Sequence, residues 1–316
     1  MTNLSAELSQ LAKERGRAKS VIIAGKRTAY WVYEAEAGQS SPGKTQASQV
    51  ARAETIVMIH GYRGNHHGLE AIVGSLSDRN VIVPDLPGFG ESEEFDEFHS
   101  IDRYARWVGD FLAALETSGQ IKLAETALLG HSFGTIVVAA AVAEGLAKPA
   151  SLILINPVST PALSGPRSIM TKLTAFYYWM GSSLPVRAGN ALLASPLIVR
   201  FMSALLAKTK DAELRRWIHR EHDENFSNFS DRRVASEGFT ASVSHNVGEY
   251  AAKITIPTLL IIGQKDDITS VADQHRVKEI FPNAQLNQIG GVGHLIHYEE
   301  PFLAAEIITE FLESTP

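Results

Sequence analysis

From Thr126 to Ala143 the chain runs through 18 residues without a single Asp, Glu, Lys or Arg. Thr126–Leu129 is a strand-like apolar run, Gly130-His131-Ser132-Phe133-Gly134 follows, and 134–147 is an Ala- and Val-rich helical stretch. A lone membrane span is poorly served by Gly130, His131, Ser132 and Gly134 in its middle. A buried strand, a sharp turn and a buried helix account for the same residues better. A chain that buries a strand and its following helix completely needs a sheet with cover on both faces.

The rest of the sequence supplies that sheet. Residues 1–18 read as a polar N-terminal helix, followed by strand-like runs at 21–24 and 28–36 and a small, polar excursion at 37–54. Further apolar runs at 55–59, 80–83, 151–155, 258–262 and 284–289 read as strands. Helices are expected at 69–76, 100–117 and 301–312. The second of these carries a stripe of Ile101, Tyr104, Val108, Phe111, Leu112 and Leu115 at three- and four-residue steps. Strands alternating with helices predict an α/β fold with a mostly parallel central sheet. Residues 157–253 break the alternation, with helical runs at 167–181, 187–208 and 211–222 and no convincing strand. The expected organisation is a core of residues 1–156 and 254–316 with a helical cap of 157–253 inserted into it.

Composition removes several classes of function. The 316 residues include 29 basic and 35 acidic side chains, a net charge of −6, and no basic run, so nucleic acid is not an expected partner. There is no cysteine, which excludes disulfides, thiolate metal sites and a cysteine nucleophile. The N-terminus lacks an apolar core of signal-peptide length, so a cytoplasmic protein without stable membrane insertion is expected. Oligomeric state is not legible.

Gly130–Gly134 fits G-x-S-x-G in the strand–turn–helix context that this motif requires. The flanking glycines are needed because Ser132 would sit on a tight, strained turn against its neighbours. The turn would hold the Ser132 hydroxyl at the positive end of the following helix. There the Phe133 amide could meet an oxyanion. His60-Gly61-Tyr62-Arg63-Gly64 follows another strand and could bring the Tyr62 amide to the same place. A base and an orienting acid would then follow in the order Ser, Asp, His. Gly263-Gln264-Lys265-Asp266-Asp267 and Gly290-Gly291-Val292-Gly293-His294 both lie after strands, where sites in open α/β sheets form.

With these motifs in place the sequence resembles the α/β-hydrolase family, specifically its capped, esterase-like branch, over roughly residues 20–313. HGYRG at 60–64, DLPGFGES at 85–92, GHSFG at 130–134, GQKDD at 263–267 and GVGH at 291–294 carry the resemblance. It implies Ser132 as nucleophile, His294 as base, Asp266 as acid, and backbone donors at Tyr62 and Phe133. Asp266 is preferred over Asp267 because it lies three residues after Gly263, the family's usual spacing. His297 is the near rival to His294. Asn156 occupies the place where some relatives carry the acid and cannot serve as a carboxylate. A serine at 132 separates the chain from related dehalogenases and epoxide hydrolases, which use aspartate. The resemblance implies a cofactor-free, metal-free hydrolase of small-molecule esters. His60, Phe176, Trp179 and Phe201 are candidate substrate contacts. Arg167, Lys172 and Arg187 are too scattered to form a clamp for a charged substrate, so neutral, hydrophobic esters of short to medium acyl chains are expected. A C–C bond hydrolase, a lactonase or a perhydrolase could use the same triad.

Two other constellations compete. Gly38–Thr45 fits the phosphate-binding pattern G-x-x-x-x-G-K-[ST], but a short polar stretch follows it, with no room for the helix that pattern needs before a strand begins at Thr55. His219 and His222, beside Glu221, Asp223 and Glu224, have a spacing that could hold a metal, although a solvated charged face is the simpler reading. His66-His67 reads as surface.

Overall fold

The computed structural model describes residues 3–36, 55–160 and 168–315. Eight strands form one sheet: β1 (Arg17–Ile23), β2 (Lys26–Tyr33), β3 (Thr55–Ile59), β4 (Asn80–Pro84), β5 (Thr126–His131), β6 (Ser151–Ile155), β7 (Thr258–Gly263) and β8 (Ala284–Ile289). Their spatial order is β1-β2-β4-β3-β5-β6-β7-β8. β1 and β2 are antiparallel to their neighbours, and every later pairing is parallel. The expected strand at 21–24 is longer and starts at Arg17. It stops at Ile23 because Ala24 and Gly25 both take positive φ (49° and 80°), the backbone of a two-residue hairpin turn. The phosphate-loop candidate at 38–45 lies outside the described residues, as does Arg167.

Strand periodicity divides the core in two. On β3, β5, β6 and β7, Val57, Ile59, Leu128, Leu152, Leu154 and Leu260 face one side, against α3 (Ile101–Thr117) and α4 (Phe133–Ala143). Ile56, Met58, Ala127, Leu129, Ile153, Ile155, Leu259 and Ile261 face the other. There they meet α2 (Glu70–Ser75) and α12 (Pro301–Ser314). Successive side chains on a strand point to opposite faces, so continuous apolar runs are what a doubly covered sheet demands. All six residues of the predicted α3 stripe are buried, and Ser100 caps that helix by accepting from the Arg103 N–H.

α1 (Leu4–Arg15) packs on α2, and α10 (Val271–Lys278) and α11 (Ile296–Glu299) complete the core domain. Between β6 and β7 lie α5 (Ser168–Ser183), α6 (Val186–Leu193), α7 (Pro196–Leu206), α8 (Ala212–Asn225) and α9 (Arg232–Ser244). The single helix expected over 187–208 is two, because Pro196 opens α7 at its first turn. Proline lacks the amide that would continue α6 and disfavours helical backbone in the residue before it. α9 was not anticipated. Its signal is Asp231, whose carboxylate accepts from the Arg233 and Val234 amides, ahead of the buried Val234, Ala235, Gly238, Phe239 and Ala241.

Candidate active site

Ser132 sits between β5 and α4 with φ 52° and ψ −118°, a conformation that L-residues rarely hold without support from their surroundings. The support is steric. A Cβ on Gly130 would lie 2.6 Å from the Gly134 carbonyl oxygen, and one on Gly134 would lie 2.3 Å from that of Ile59. Only glycine lets the first turn of α4 approach β3 this closely. As the first residue of α4, Phe133 has an amide with no acceptor inside the helix.

His294, in the loop after β8, places Nε2 2.7 Å from Ser132 Oγ and Nδ1 2.9 Å from Asp266 Oδ2. The three side chains converge from the carboxyl ends of β5, β7 and β8. Gly263 permits this, since a Cβ there would meet the Gly293 carbonyl oxygen at 2.3 Å. Burial pushes the Asp266 carboxyl up. The neighbouring His294 and hydrogen bonds from the Ile268 amide and the Asn156 side chain outweigh it, holding the group below the ordinary carboxylate range. Asp267 turns elsewhere, to an ion pair with Lys208 just beyond α7.

Asn156 has a part that sequence reasoning missed. It holds φ 48°, is fully buried, and donates to Asp266 Oδ2 (2.9 Å) and the Gly293 carbonyl (3.3 Å). The residue read as unable to replace the acid steadies it instead. His297 does not reach Ser132. It is buried with its ring centroid 4.0 Å from that of His131, and burial holds its imidazole well below its ordinary pKa.

The 60–64 loop turns tightly, with the Gly64 amide donating to the Gly61 carbonyl and Arg63 at φ 60°. It presses on the serine turn: a Cβ on Gly61 would lie 3.1 Å from His131 Nδ1 and 3.2 Å from Ser132 Cβ. His60, expected as a substrate contact, is a fixed internal brace. Its Nδ1 donates to the Gly61 carbonyl (2.9 Å), its Nε2 accepts the Leu86 amide (2.8 Å), and it is 1% exposed. The DLPGFGES segment is organised around Asp85, which accepts from His66 through both its amide and its Nδ1 and from the Glu91 amide. His66 is therefore buried rather than on the surface, with its ring stacked on Trp31.

The same loop grips the helices between β6 and β7. The Tyr62 hydroxyl donates to the Ala235 carbonyl of α9, and its ring is edged by Phe89, Phe133 and Tyr178. Arg63, only 3% exposed, donates to the carbonyls of Leu193 (2.8 Å) and Phe226 (3.0 Å) and to the Tyr178 hydroxyl (3.1 Å). It also lies over the rings of Phe226 and Phe229. Leu193 ends α6 and Phe226 caps α8, so the guanidinium meets the negative ends of two helices. Only its position in the motif singled Arg63 out beforehand.

Phe176, Trp179 and Phe201 do not sit in a pocket; they are 55%, 61% and 60% exposed, and the first two stack on each other. His219 and His222 do not form a solvated face either. Both Nδ1 atoms lie within 2.7 Å of Ser203 Oγ, and His222 is buried. His66, His67 and Glu70 bring ligand atoms within 4.8 Å of one another. His66 Nδ1 is engaged with Asp85 and His67 Nδ1 with Glu70.

A family model for the alpha/beta hydrolase fold matches residues 54–301. The chain is an α/β-hydrolase. It is 26% identical over 271 residues to an uncharacterized hydrolase, YugF, of Bacillus subtilis, covering 82% of this chain and 90% of that one. To Lipase 1 of Psychrobacter immobilis it is 25% identical over 252 residues, 77% and 71% of the two chains. The solved structure of an esterase from Exiguobacterium antarcticum superposes with a TM-score of 0.70 at 14% identity, covering 94% of this α/β-hydrolase and 100% of that chain.

Proposed function

We propose that this α/β-hydrolase cleaves carboxylic esters through an acyl-enzyme on Ser132. The observation that carries the reading is the unbroken chain of hydrogen bonds from Ser132 Oγ through His294 to Asp266. His294 Nε2 takes the hydroxyl proton as Oγ attacks the ester carbonyl, and Asp266 holds the other ring nitrogen in the donating tautomer. The Tyr62 and Phe133 amides receive the oxyanion. The proton on His294 goes to the leaving alcohol. Water then attacks the acyl carbon as His294 takes its proton, and His294 returns that proton to Ser132 Oγ as the acyl–oxygen bond breaks and the acid leaves.

The likeness to a lipase and an esterase supports ester substrates. The aromatic rings packed around Tyr62, which are Phe133 of the serine turn, Tyr178 and Phe239, support a neutral, hydrophobic acyl group of short to medium length. Each further buried methylene then adds up to ~0.8 kcal/mol until the space is full. A panel from acetyl to palmitoyl esters should give kcat/KM that rises to an optimum and then falls. Ser132→Ala should lose turnover by roughly 10⁶-fold and lose labelling by a fluorophosphonate while remaining folded. Equal labelling of wild type and variant would overturn the nucleophile, and a preference for charged acyl groups would overturn the substrate class.

A further inference from the structure

The surface of α5–α7 reverses the usual order of a helix on a soluble protein. On α7, Leu197, Phe201 and Leu205 form a stripe at four-residue steps, 83%, 60% and 43% exposed. The opposite face buries Val199 and Ser203, whose hydroxyl meets His219 and His222 of α8. A polar group thus points in and the large apolar groups point out. α5 repeats the pattern: Leu173, Phe176 and Trp179 are 57%, 55% and 61% exposed while Tyr178 is buried. A stripe of large apolar groups left in the open, as each of these helices carries, marks an interaction site on a soluble protein.

The charge of the segment says what kind of partner fits. From Gly145 to Lys210 there is no Asp or Glu, while Lys148, Arg167, Lys172, Arg187, Arg200, Lys208 and Lys210 are all basic, in a chain of net charge −6. Arg200 and Lys208 pair with Asp223 and Asp267, while Arg187 and Lys210 stand exposed; a segment whose own charges are all positive attracts an anionic surface more than a second copy of itself. Exposed leucine, phenylalanine and tryptophan with basic residues on the same helices is the pattern of segments that lie in a membrane interface. The stretch Val186–Leu206 is apolar and long enough by composition to cross a membrane. Its helix is interrupted between Leu193 and Pro196, and Val199 and Ser203 of its second half are buried in the protein, the hydroxyl held by His219 and His222 of α8. It therefore suits a seat in the interface rather than a span.

We propose that the outward face of α5 and α7 docks this hydrolase on anionic lipid membranes. The test is co-sedimentation of the full chain with vesicles of phosphatidylcholine alone or with an equal part of phosphatidylglycerol. Ser132→Ala is included, so that docking is read without turnover and stands or falls apart from the ester reading. Wild type and Ser132→Ala should partition at least tenfold more strongly to the anionic vesicles, less so in high salt, with a blue shift of Trp179 emission that Trp179→Tyr removes. The double variant Leu197→Glu, Phe201→Glu should lose tenfold or more of that binding with its melting temperature and its turnover of a soluble ester unchanged. Trp179→Ala, made separately, should weaken binding severalfold and keeps the test open if the double variant folds poorly. Failure of wild type to sediment with anionic vesicles would overturn the proposal, as would undiminished binding by both variants. So would a lipid-free dimer that the double variant dissociates while the wild type ignores vesicles.

Discussion

The sheet domain and the helices inserted between β6 and β7 solve the problem of burial in opposite ways. In the unit β5–Ser132–α4, β5 is buried throughout and the strands beside it send alternate side chains into two packed layers. In the insertion, α7 keeps Val199 and Ser203 inside and leaves Leu197, Phe201 and Leu205 to solvent. The insertion has a small core of its own at Tyr178, Leu193, Ala235 and Phe239, and is held to the sheet domain by further ties. These are Arg63 and Tyr62, and a short bridge between Phe89 and Phe229, with backbone hydrogen bonds from Gly90 to Asn228 and from Ser230 to Gly88. From the contrast we propose different work for the two regions: chemistry in the sheet domain, and control of what approaches it in the insertion.

The adjacent carboxylates 266 and 267 test this division most severely, since one faces each region. Asp266→Asn should slow turnover by roughly 10³- to 10⁴-fold, because His294 loses the group that fixes its tautomer. Asp267→Asn, which breaks the pair with Lys208, should change kcat by no more than a few-fold. Steady-state kinetics on one soluble ester decides it, and the reverse order would move the acid by one position.

Arg63→Met attacks the joint. It strips the donor from two helix-end carbonyls and a tyrosine hydroxyl, and should cost about 2–4 kcal/mol of stability, since buried acceptors left unpaired cost ~1–3 kcal/mol each before relaxation. Hydrogen exchange should quicken in α5, α6 and α8 before it does in β3–β7. Unchanged exchange in those helices would show that the insertion stands without its anchor.

Acid should weaken both regions. Burial, reinforced by His294, holds His131 in the sheet domain down to about 3; burial, reinforced by His219, does the same to about 3 for His222 in the insertion. In the unfolded chain each titrates near ~6.5. Between those values the unfolded chain takes up protons that the folded chain refuses, so stability is full above about pH 6.5 and falls as pH drops toward about 3. The expected loss is ~0.7 kcal/mol per histidine between pH 7 and pH 6. Asp266 acts in the same sense but at lower pH: its contribution is present above about pH 4 and is lost as pH falls below that. Urea midpoints across pH check this, and His222→Asn should flatten the profile by one histidine's share. At the small end, Leu197→Ala should move stability by no more than ~0.5 kcal/mol, as expected for a side chain left in water.

Legibility followed the same boundary. The succession of strands and helices along the chain, the serine turn, and the residues that meet in the site could be read because burial on both faces, glycine-dependent close approach and loops at strand ends leave strong marks in sequence. His60 was misread because a histidine beside a glycine turn looks alike whether it faces a ligand or braces a loop; only the Leu86 amide on its Nε2 decides. Asn156 was judged by the charge it lacks rather than by the hydrogen bonds it can give. In the insertion, an apolar run says that a helix forms but not which side faces out. Phe176, Trp179 and Phe201 were therefore assigned inward, and the break at Pro196 was passed over.

The way Arg63 is held also bears on how such proteins diversify. Two of its acceptors are main-chain carbonyls at the ends of α6 and α8, so most substitutions along those helices leave these two bonds intact, whereas a change in helix length moves the acceptors away. Apart from Tyr178, Phe226 and Phe229, which also meet the guanidinium, the insertion can therefore drift in side chains more readily than in register. A chimaera that borrows these helices from a relative should fold only if its helix ends land within reach of the guanidinium, or if the residue at 63 is exchanged along with them.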